Sequence, residues 1–501
     1  MSENFVTYRA FGAKGDGVTD DFAAIVKTHE YANEHGVPVH GDEGATYYIG
    51  VVSTTAVIRT DTDWTGAKFI IDDSAVGTDR RGANIFAVRS LKENVPVTGL
   101  TSLKKGQANL GIRLAEPSIV VINDANTKRY IREGINHNNG SDQTDIVLAD
   151  ADGNIDQNAP LIWDYEQVTS AYATPIDTET LTLKGGEFTT IANQADSYYT
   201  YYTRGITIQR SNVTVDGLKH FITGELEHGA PYAGILQISN CANILVKNCT
   251  FTAHRMYQSK DPNQASWMGS YDISPARAVN ITFQNCVQTT DILDRRYWGI
   301  MGSNFCKNIT LDHCYFSRFD AHQGVANVTI LASTLGHQCL NAIGCGTLRV
   351  EGSTLYGSSF INLRGDYGST WEGDAVIRDC TWSPNCGKGA DRNAVIGGSY
   401  SGFHDFGYEC YMPRTVTIDG LTVRDEKHSE NYSGISLFGN ITPAYKDEAY
   451  EEKVRTEGFP YHITEKLTIR NFRSDTGMKW KLSENPFMFR HVVVTDLDAV
   501  K

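Results

Sequence analysis

One short unit recurs along the second half of this chain, and it constrains the fold more than any other feature. It reads "NVTVDGL" from Asn212, "NILVKNC" from Asn243, "NITFQNC" from Asn280 and "NITLDHC" from Asn308. It continues as "NVTILAS" from Asn327, "TLRVEGS" from Thr347 and "AVIRDC" from Ala375, with "VTIDGL" near Val416 and "LTIRNF" near Leu467. The first seven units start 31, 37, 28, 19, 20 and 28 residues apart. Steps of roughly 20 to 30 residues suit one coil of a parallel β-solenoid, with the variation absorbed by loops on one face. Within each unit the apolar positions alternate, as short half-buried strands require. An all-β solenoid is predicted.

The units also repeat a small residue. Cys249, Cys286, Cys314, Ser333 and Ser353 stand six positions after the unit start, and Cys380 one register earlier. Stacked coils, about 4.8 Å apart, would set these side chains one above another inside the solenoid. A thiol repeated coil after coil is explained by packing rather than by a metal or a disulfide. None of the ten cysteines forms a zinc-type CxxC pair, so the thiols are expected reduced and buried.

With 501 residues, 41% of them apolar, the chain has ample material for a core. A net charge of −14 argues against a generic nucleic-acid binder, since nothing offsets phosphate repulsion. It leaves open an acidic substrate held by a local Arg or Lys patch. No apolar run is long enough to cross a membrane as a helix, and no membrane partner is expected. The N-terminus "MSENFVTYRAFG" lacks the pattern of a signal peptide. A cytoplasmic location is therefore expected, or a secreted or periplasmic one if this is the mature form of a longer chain.

The stretch "GAKGDGVTDDFAAI" (residues 12–25) crowds glycines and acids ahead of a helical pattern. It lacks the G-x-x-x-x-G-K-[ST] order of a phosphate loop, and Asp16, Asp20 and Asp21 fit no EF-hand spacing. Residues 20–35 carry apolar positions at helical spacing, with Thr19 or Asp20 as N-cap and Gly36 as the stop. Together with the repeats, "FGAKGDGVTDDFAAI" resembles the N-terminal signature of the pectate-lyase-like right-handed parallel β-helix superfamily. That superfamily includes polygalacturonases, tailspike depolymerases and alginate epimerases. The resemblance implies that this segment caps the first coil. The expected organisation is a cap and first coils over 1–96, an inserted β-rich module over 97–204, and the main β-helix over 205–501. A charged loop insertion is expected near 441–463.

A solenoid face where side chains of successive coils converge suits a polysaccharide chain. Ten to twelve residues after consecutive unit starts lie His254 and Arg255, Asp291, Asp320 and His337. Asp294, Arg295, Arg296 and His322 stand close by, and "NLRGDYGSTWEG" adds Arg364, Asp366 and Tyr367. This strip resembles, in order and spacing, the active site of polygalacturonases (glycoside hydrolase family 28). It departs from that family in Thr289, in the single Asp320, and in Asp366 where the family has a carboxylate-binding Lys. Galacturonate is therefore doubtful as substrate, and a neutral or differently charged sugar is favoured.

Glycosidic cleavage needs one carboxylic acid for the leaving oxygen and a second carboxylate to activate water or attack carbon. Asp320, between Phe319 and Ala321, is expected as general acid through desolvation, with Asp291 or Asp294 as base and Asp366 as a second candidate. His322 and His337 would orient or share the proton. Asp294, Arg295, Arg296, Arg364, Tyr367, His254, Tyr257 and Trp267 are expected to contact substrate. No metal or cofactor is expected. Hydrolysis of a poly- or oligosaccharide, with inversion, is the leading expectation. The competing readings are a polysaccharide lyase or epimerase, and a non-catalytic glycan-binding adhesin that would form tailspike-like trimers. Homo-oligomerisation stays open.

Overall fold

The computed structural model describes residues 5–132, 138–198, 200–263, 266–399, 409–441, 446–449, 452 and 461–499. The chain divides into two compact units. The first comprises Met1–Ile122, Ile146–Asp291 and Arg296–Gly302, and the second Asn123–Asp145, Ile292–Arg295 and Ser303–Lys501. No helix among the described residues is long and apolar enough to cross a membrane.

The first unit is built of parallel strands stacked coil on coil. One row places Leu181 beside Val213, Val213 beside Ile244 and Ile244 beside Ile281. A second runs Phe86, Ile206, Leu236, Ile273, and a third runs Glu187, Lys219, Thr250, Val287. Three strand rows per coil enclose an apolar interior, where Phe69 and Phe188 stack at 4.6 Å and Trp64 meets both.

The second unit repeats the plan. Val328, Leu348, Ala375, Val416, Leu467 and Val494 form one row in register. Leu335, Leu355, Trp382 and Val423 form the next. Phe319, Leu340, Ile361, Ile396 and Phe438 form the third. The chain is an all-β parallel β-helix, as its repeats predict.

The recurring residues explain the corners. Asn212, Asn243, Asn280, Asn308 and Asn327 all have φ between 56 and 60°. Asparagine tolerates this left-handed turn better than other side chains. Its amide then bonds the coil before it: Asn243 Nδ2 donates to Asn212 Oδ1 at 2.9 Å, and Asn280 Nδ2 to Asn243 Oδ1 at 3.0 Å. In the second unit Asn327 Nδ2 donates to Asn308 Oδ1 at 3.0 Å. The repeated small residues are buried: Cys249, Cys286, Cys314 and Cys380 are free thiols. Ser353 Oγ accepts from Ser333 N, and Ser333 Oγ from Cys314 N, which ties three coils together.

At the N-terminus, helix Phe22–His35 covers the interior with Phe22, Ile25 and Ala32, and Gly36 ends it in the left-handed region. The acids serve the backbone. Asp21 Oδ1 and Oδ2 accept from Lys14 N and Gly15 N at 2.6 and 2.9 Å, and Asp20 Oδ1 accepts from Phe22 N at 3.0 Å. The N-cap position is Asp21, one residue later than expected, because Asp20 still belongs to strand Asp16–Asp20.

Strands Val95–Pro96, Ser118–Arg129, Ser141–Ala149 and Ser170–Pro175 form a separate four-stranded sheet within the range expected for an inserted module. Not all of 97–204 belongs to that sheet. Strand Leu181–Ile191 pairs in parallel with Thr62–Asp72 and is already part of a coil. The polar alternation of "ETLTLKGGEFTTI" hid this return, since the outward face of a coil strand looks like that of any half-exposed strand. Most of the charged insertion at 441–463 lies outside the described residues.

Candidate functional site

On strand Tyr315–Leu331, side chains alternate between faces. Phe319 points into the apolar row, and its neighbour Asp320 starts a polar one. Asp320 pairs in register with Asn341, Asn341 with Asn362, and Asn362 with Gly397. Arg318, Asp320 and His322 share that face.

The face is covered at its upstream end. Segment Asn123–Asp145 belongs to the same unit. Arg132 Nε of this segment lies 2.9 Å from Asp366 Oδ2, and Asp145 Oδ1 lies 2.5 Å from Lys307 Nζ in a fully buried pair. Tyr130 packs on Phe305, and a Cβ at Gly324 would meet the Tyr130 hydroxyl at 2.1 Å. Glycine at 324 is what lets the ring lie there.

Under this cover Asp320 is wholly buried between two guanidinium groups. Arg318 Nη2 lies 2.5 Å from its Oδ2, and Arg364 Nη1 donates to both of its oxygens at 3.0 Å. Burial alone would raise the Asp320 carboxyl, but the charges of Arg318 and Arg364 outweigh it and hold the group well below the usual carboxylate range. An acid held as its anion has no proton to give. The desolvation on which the expectation of Asp320 as general acid rested is offset: the apolar neighbours Phe319 and Ala321 point to the other face, and the groups that surround its oxygens are cations.

Arg364 also donates to Asp366, from Nε to Oδ1 at 3.2 Å and from Nη2 to Oδ2 at 2.8 Å. Its guanidinium lies 4.9 Å from the centre of the Tyr367 ring, whose hydroxyl is 3.4 Å from His322 Nε2. Burial, with Arg364 beside it, pushes His322 down to about 4, so the imidazole is neutral near pH 7. Burial pushes Tyr367 up to about 12. The structure thus brings Asp320, His322, Arg364, Asp366 and Tyr367 into one network, of which Asp366 is the more open carboxylate.

The other expected residues stand apart from this network or in the first unit. His337 is on strand Thr334–Ala342, almost buried, and its amide donates to Ile292 O at 2.9 Å. Asp294 is partly buried and Arg295 exposed in the second unit. Asp291, Arg296, His254, Tyr257 and Trp267 belong to the first unit. There His254 Nδ1 bonds Glu225 Oε1 at 3.0 Å, and its ring stacks on Tyr232 at 4.0 Å, which buries it. Tyr257 is buried and donates to Leu226 O, whereas Trp267 is 56% exposed on a short hairpin. Asp291 is exposed, and Arg296 lies over the Tyr297 ring.

Downstream along the same polar row, the second unit opens into a cleft of about 710 Å³. Strands Ser359–Leu363, Ala394–Gly397, Ser436–Phe438 and Lys481–Ser483, paired in parallel, supply its floor. The floor is low because its residues are small. A Cβ at Gly397 would fall 2.1 Å from Ser359 Oγ, so no larger residue fits. Asn362 lines the cleft with a fixed amide: its Nδ2 donates to Asn341 Oδ1, and Asn341 Nδ2 donates to Gln338 O, both at 2.6 Å. Tyr432 forms part of a wall, its hydroxyl donating to the buried Asp425 carboxylate.

Four charged residues line this cleft: Asp391, Arg392, Lys481 and Glu484. Lys481 Nζ donates to Ser433 Oγ at 2.7 Å and pairs with Glu484, and Asp391 Oδ1 accepts from Ser429 Oγ at 3.0 Å. Asp391, Arg392 and Glu484 are exposed. None of the four is among the residues to which the sequence points. No sequence spacing marks them, because Asp391 and Arg392 precede strand Ala394–Gly397 and Glu484 follows strand Lys481–Ser483. Among the described residues no group of three or more His, Cys, Asp or Glu is arranged to hold a metal ion.

No protein-family model matches the chain. It is 28% identical over 136 residues to a capsule KL64-specific depolymerase of Klebsiella phage P510, which covers 22% of this chain and 13% of that protein. The chain thus spans a small part of that relative's length. Among solved structures, the tailspike gp61 of Pseudomonas phage phi297 is 12% identical with a TM-score of 0.52, over 99% of this chain and 84% of that one. The tailspike gp49 of Pseudomonas phage LKA1 is 13% identical with a TM-score of 0.47, over 98% and 84%. At such identities a likeness speaks for fold alone, and that of the phi297 tailspike agrees with the stacked coils described above: the chain has a parallel β-helix fold.

Proposed function

We propose that this protein is a polysaccharide depolymerase of the tailspike type, which hydrolyses glycosidic bonds in the cleft of the second unit. The observation that carries this reading is a polar cleft of about 710 Å³ with two exposed carboxyl groups, Asp391 and Glu484, on its lining. Serine, asparagine and glycine there offer the hydroxyl- and amide-scale contacts that sugars take. The partial likeness to a capsule depolymerase supports the same class of substrate, and the fold shared with a phage tailspike supports the tailspike type.

In this reading Asp391 and Glu484 divide the work that hydrolysis demands. One protonates the leaving oxygen, and the other, ionised, activates water or attacks the anomeric carbon. If inversion holds, as the sequence expectation has it, a separation of about 6.5–9.5 Å between the two carboxyl groups accompanies it. Asn362 orients a sugar hydroxyl. The Arg318–Asp320–Arg364–Asp366 network acts upstream as a rigid wall, held by Arg132.

The test is a panel of bacterial capsular polysaccharides assayed for new reducing ends and for the ultraviolet absorbance of unsaturated uronates. Hydrolysis gives reducing ends without that absorbance. Both signals together would assign the protein to the lyases, and binding without either would make it an adhesin.

A further inference from the structure

We infer that the cleft selects an anionic glycan, whose carboxylate is held by Arg392 while one of its hydroxyls donates to Asn362 Oδ1; this rests on the cleft being the glycan site.

The inference follows from which polar groups in the cleft are already committed. Lys481 is taken by Glu484 and Ser433, and Asp391 accepts from Ser429. Tyr432 is tied to Asp425, and Asn440 Oδ1 accepts from Asn485 Nδ2 at 2.9 Å. Arg392 is different: it is exposed, lines the cleft, and has no hydrogen bond or ion pair among the described residues. A guanidinium with its donors free in a concave site matches a carboxylate in charge and in fork geometry.

Asn362 adds direction. The amide ladder through Asn341 to Gln338 O fixes which end of the Asn362 side chain is nitrogen. Its Oδ1 has no partner among the described residues, so it is an acceptor that calls for a donor. A uronate or similar acidic sugar carries both groups, a carboxylate for Arg392 and hydroxyls for Asn362. A neutral hexose carries only the second.

The experiment compares methyl β-glucuronide with methyl β-glucoside by saturation-transfer NMR on the full chain. Wild type, Arg392→Gln and a cleft-blocking Asn431→Trp variant are measured, each checked for an unchanged circular dichroism spectrum. A charge-assisted pair supports a difference of about tenfold. The expected result is a saturable signal for the glucuronide, about tenfold stronger than for the glucoside, cut about tenfold in Arg392→Gln and lost in Asn431→Trp.

Equal signals for both glycosides, unaffected by Arg392→Gln but lost in Asn431→Trp, would overturn the selectivity and leave the cleft as a sugar site. A glucuronide signal that survives Asn431→Trp would place the anion elsewhere and overturn the inference. So would the absence of any glucuronide signal. The depolymerase reading is decided separately, by bond cleavage in the capsular panel.

Discussion

Asp320 shows how a residue's chemistry depends on what lies across the coil rather than beside it in sequence. Its neighbours Phe319 and Ala321 are apolar, which suggested an acid with a raised pKa. The structure sets Arg318 and Arg364 against its oxygens, and those charges hold it as the anion. A buried ion pair that loses one partner costs about 3–5 kcal/mol, because the other charge stays buried alone. Asp320→Asn is therefore expected to lower stability by about that amount in chemical denaturation. At temperatures where the variant is still folded, cleavage should persist. Loss of cleavage without loss of stability would restore Asp320 to the catalytic role. Because its folded pKa lies below the ordinary carboxylate value near 4, its stabilisation is complete above about pH 4 and is lost as pH falls below that.

Strands and turns carry the next level. The asparagine ladder couples two effects at each corner, a left-handed turn and an intercoil amide bond. Asn243→Gly keeps the turn and loses about 1 kcal/mol of hydrogen bonding, whereas Asn243→Ala also meets a left-handed cost of about 1–2 kcal/mol. Urea titration of both variants should rank them wild type, glycine, alanine, and equal losses would refute the turn's share. The capping helix gives a pH-dependent counterpart. His29 is fully buried, bonded to the Tyr8 hydroxyl at 2.9 Å, and burial pushes it down to about 3. A histidine depressed in the folded state stabilises fully above its unfolded pKa, about 6.5, and loses that contribution as pH falls toward 3. Hydrogen exchange in helix Phe22–His35 should accelerate between pH 7 and pH 4 beyond the intrinsic trend. The acceleration should shrink in His29→Leu, and an identical pH response in that variant would contradict the assignment.

These elements also mark how far the sequence could be read. The solenoid was legible because Asn243, Asn280 and Asn308 repeat a corner, and Cys249, Cys286 and Cys314 repeat a packing position; both are local to one coil. The capping role of residues 12–36 was legible for the same reason. The Asp320–Arg364 contact was half legible: spacing put both residues on one face, but not the cover provided by Asn123–Asp145, which comes from far upstream in the chain. The cleft was not legible. Its lining is contributed by strands whose loops differ in length, so Asn362, Asp391 and Glu484 show no common spacing, and the glycines at 397 and 398 look like an ordinary turn.

At the largest scale, the coil stack of the second unit presents one polar row that is closed at Asp320 and borders the cleft at Asn362 and Gly397. In the proposed reading the polysaccharide lies over the open floor, and the chemistry falls to Asp391 and Glu484 instead of to the buried network. The most direct test is the rate of reducing-end release from whichever capsular polysaccharide the protein cleaves, compared among wild type, Asp391→Asn and Glu484→Gln. Removing a positioned acid or base costs about 10²–10⁴-fold in rate, and both residues are exposed, so the variants should keep wild-type stability. The account predicts a loss of at least about a hundredfold in each. Wild-type rates in both variants would contradict it.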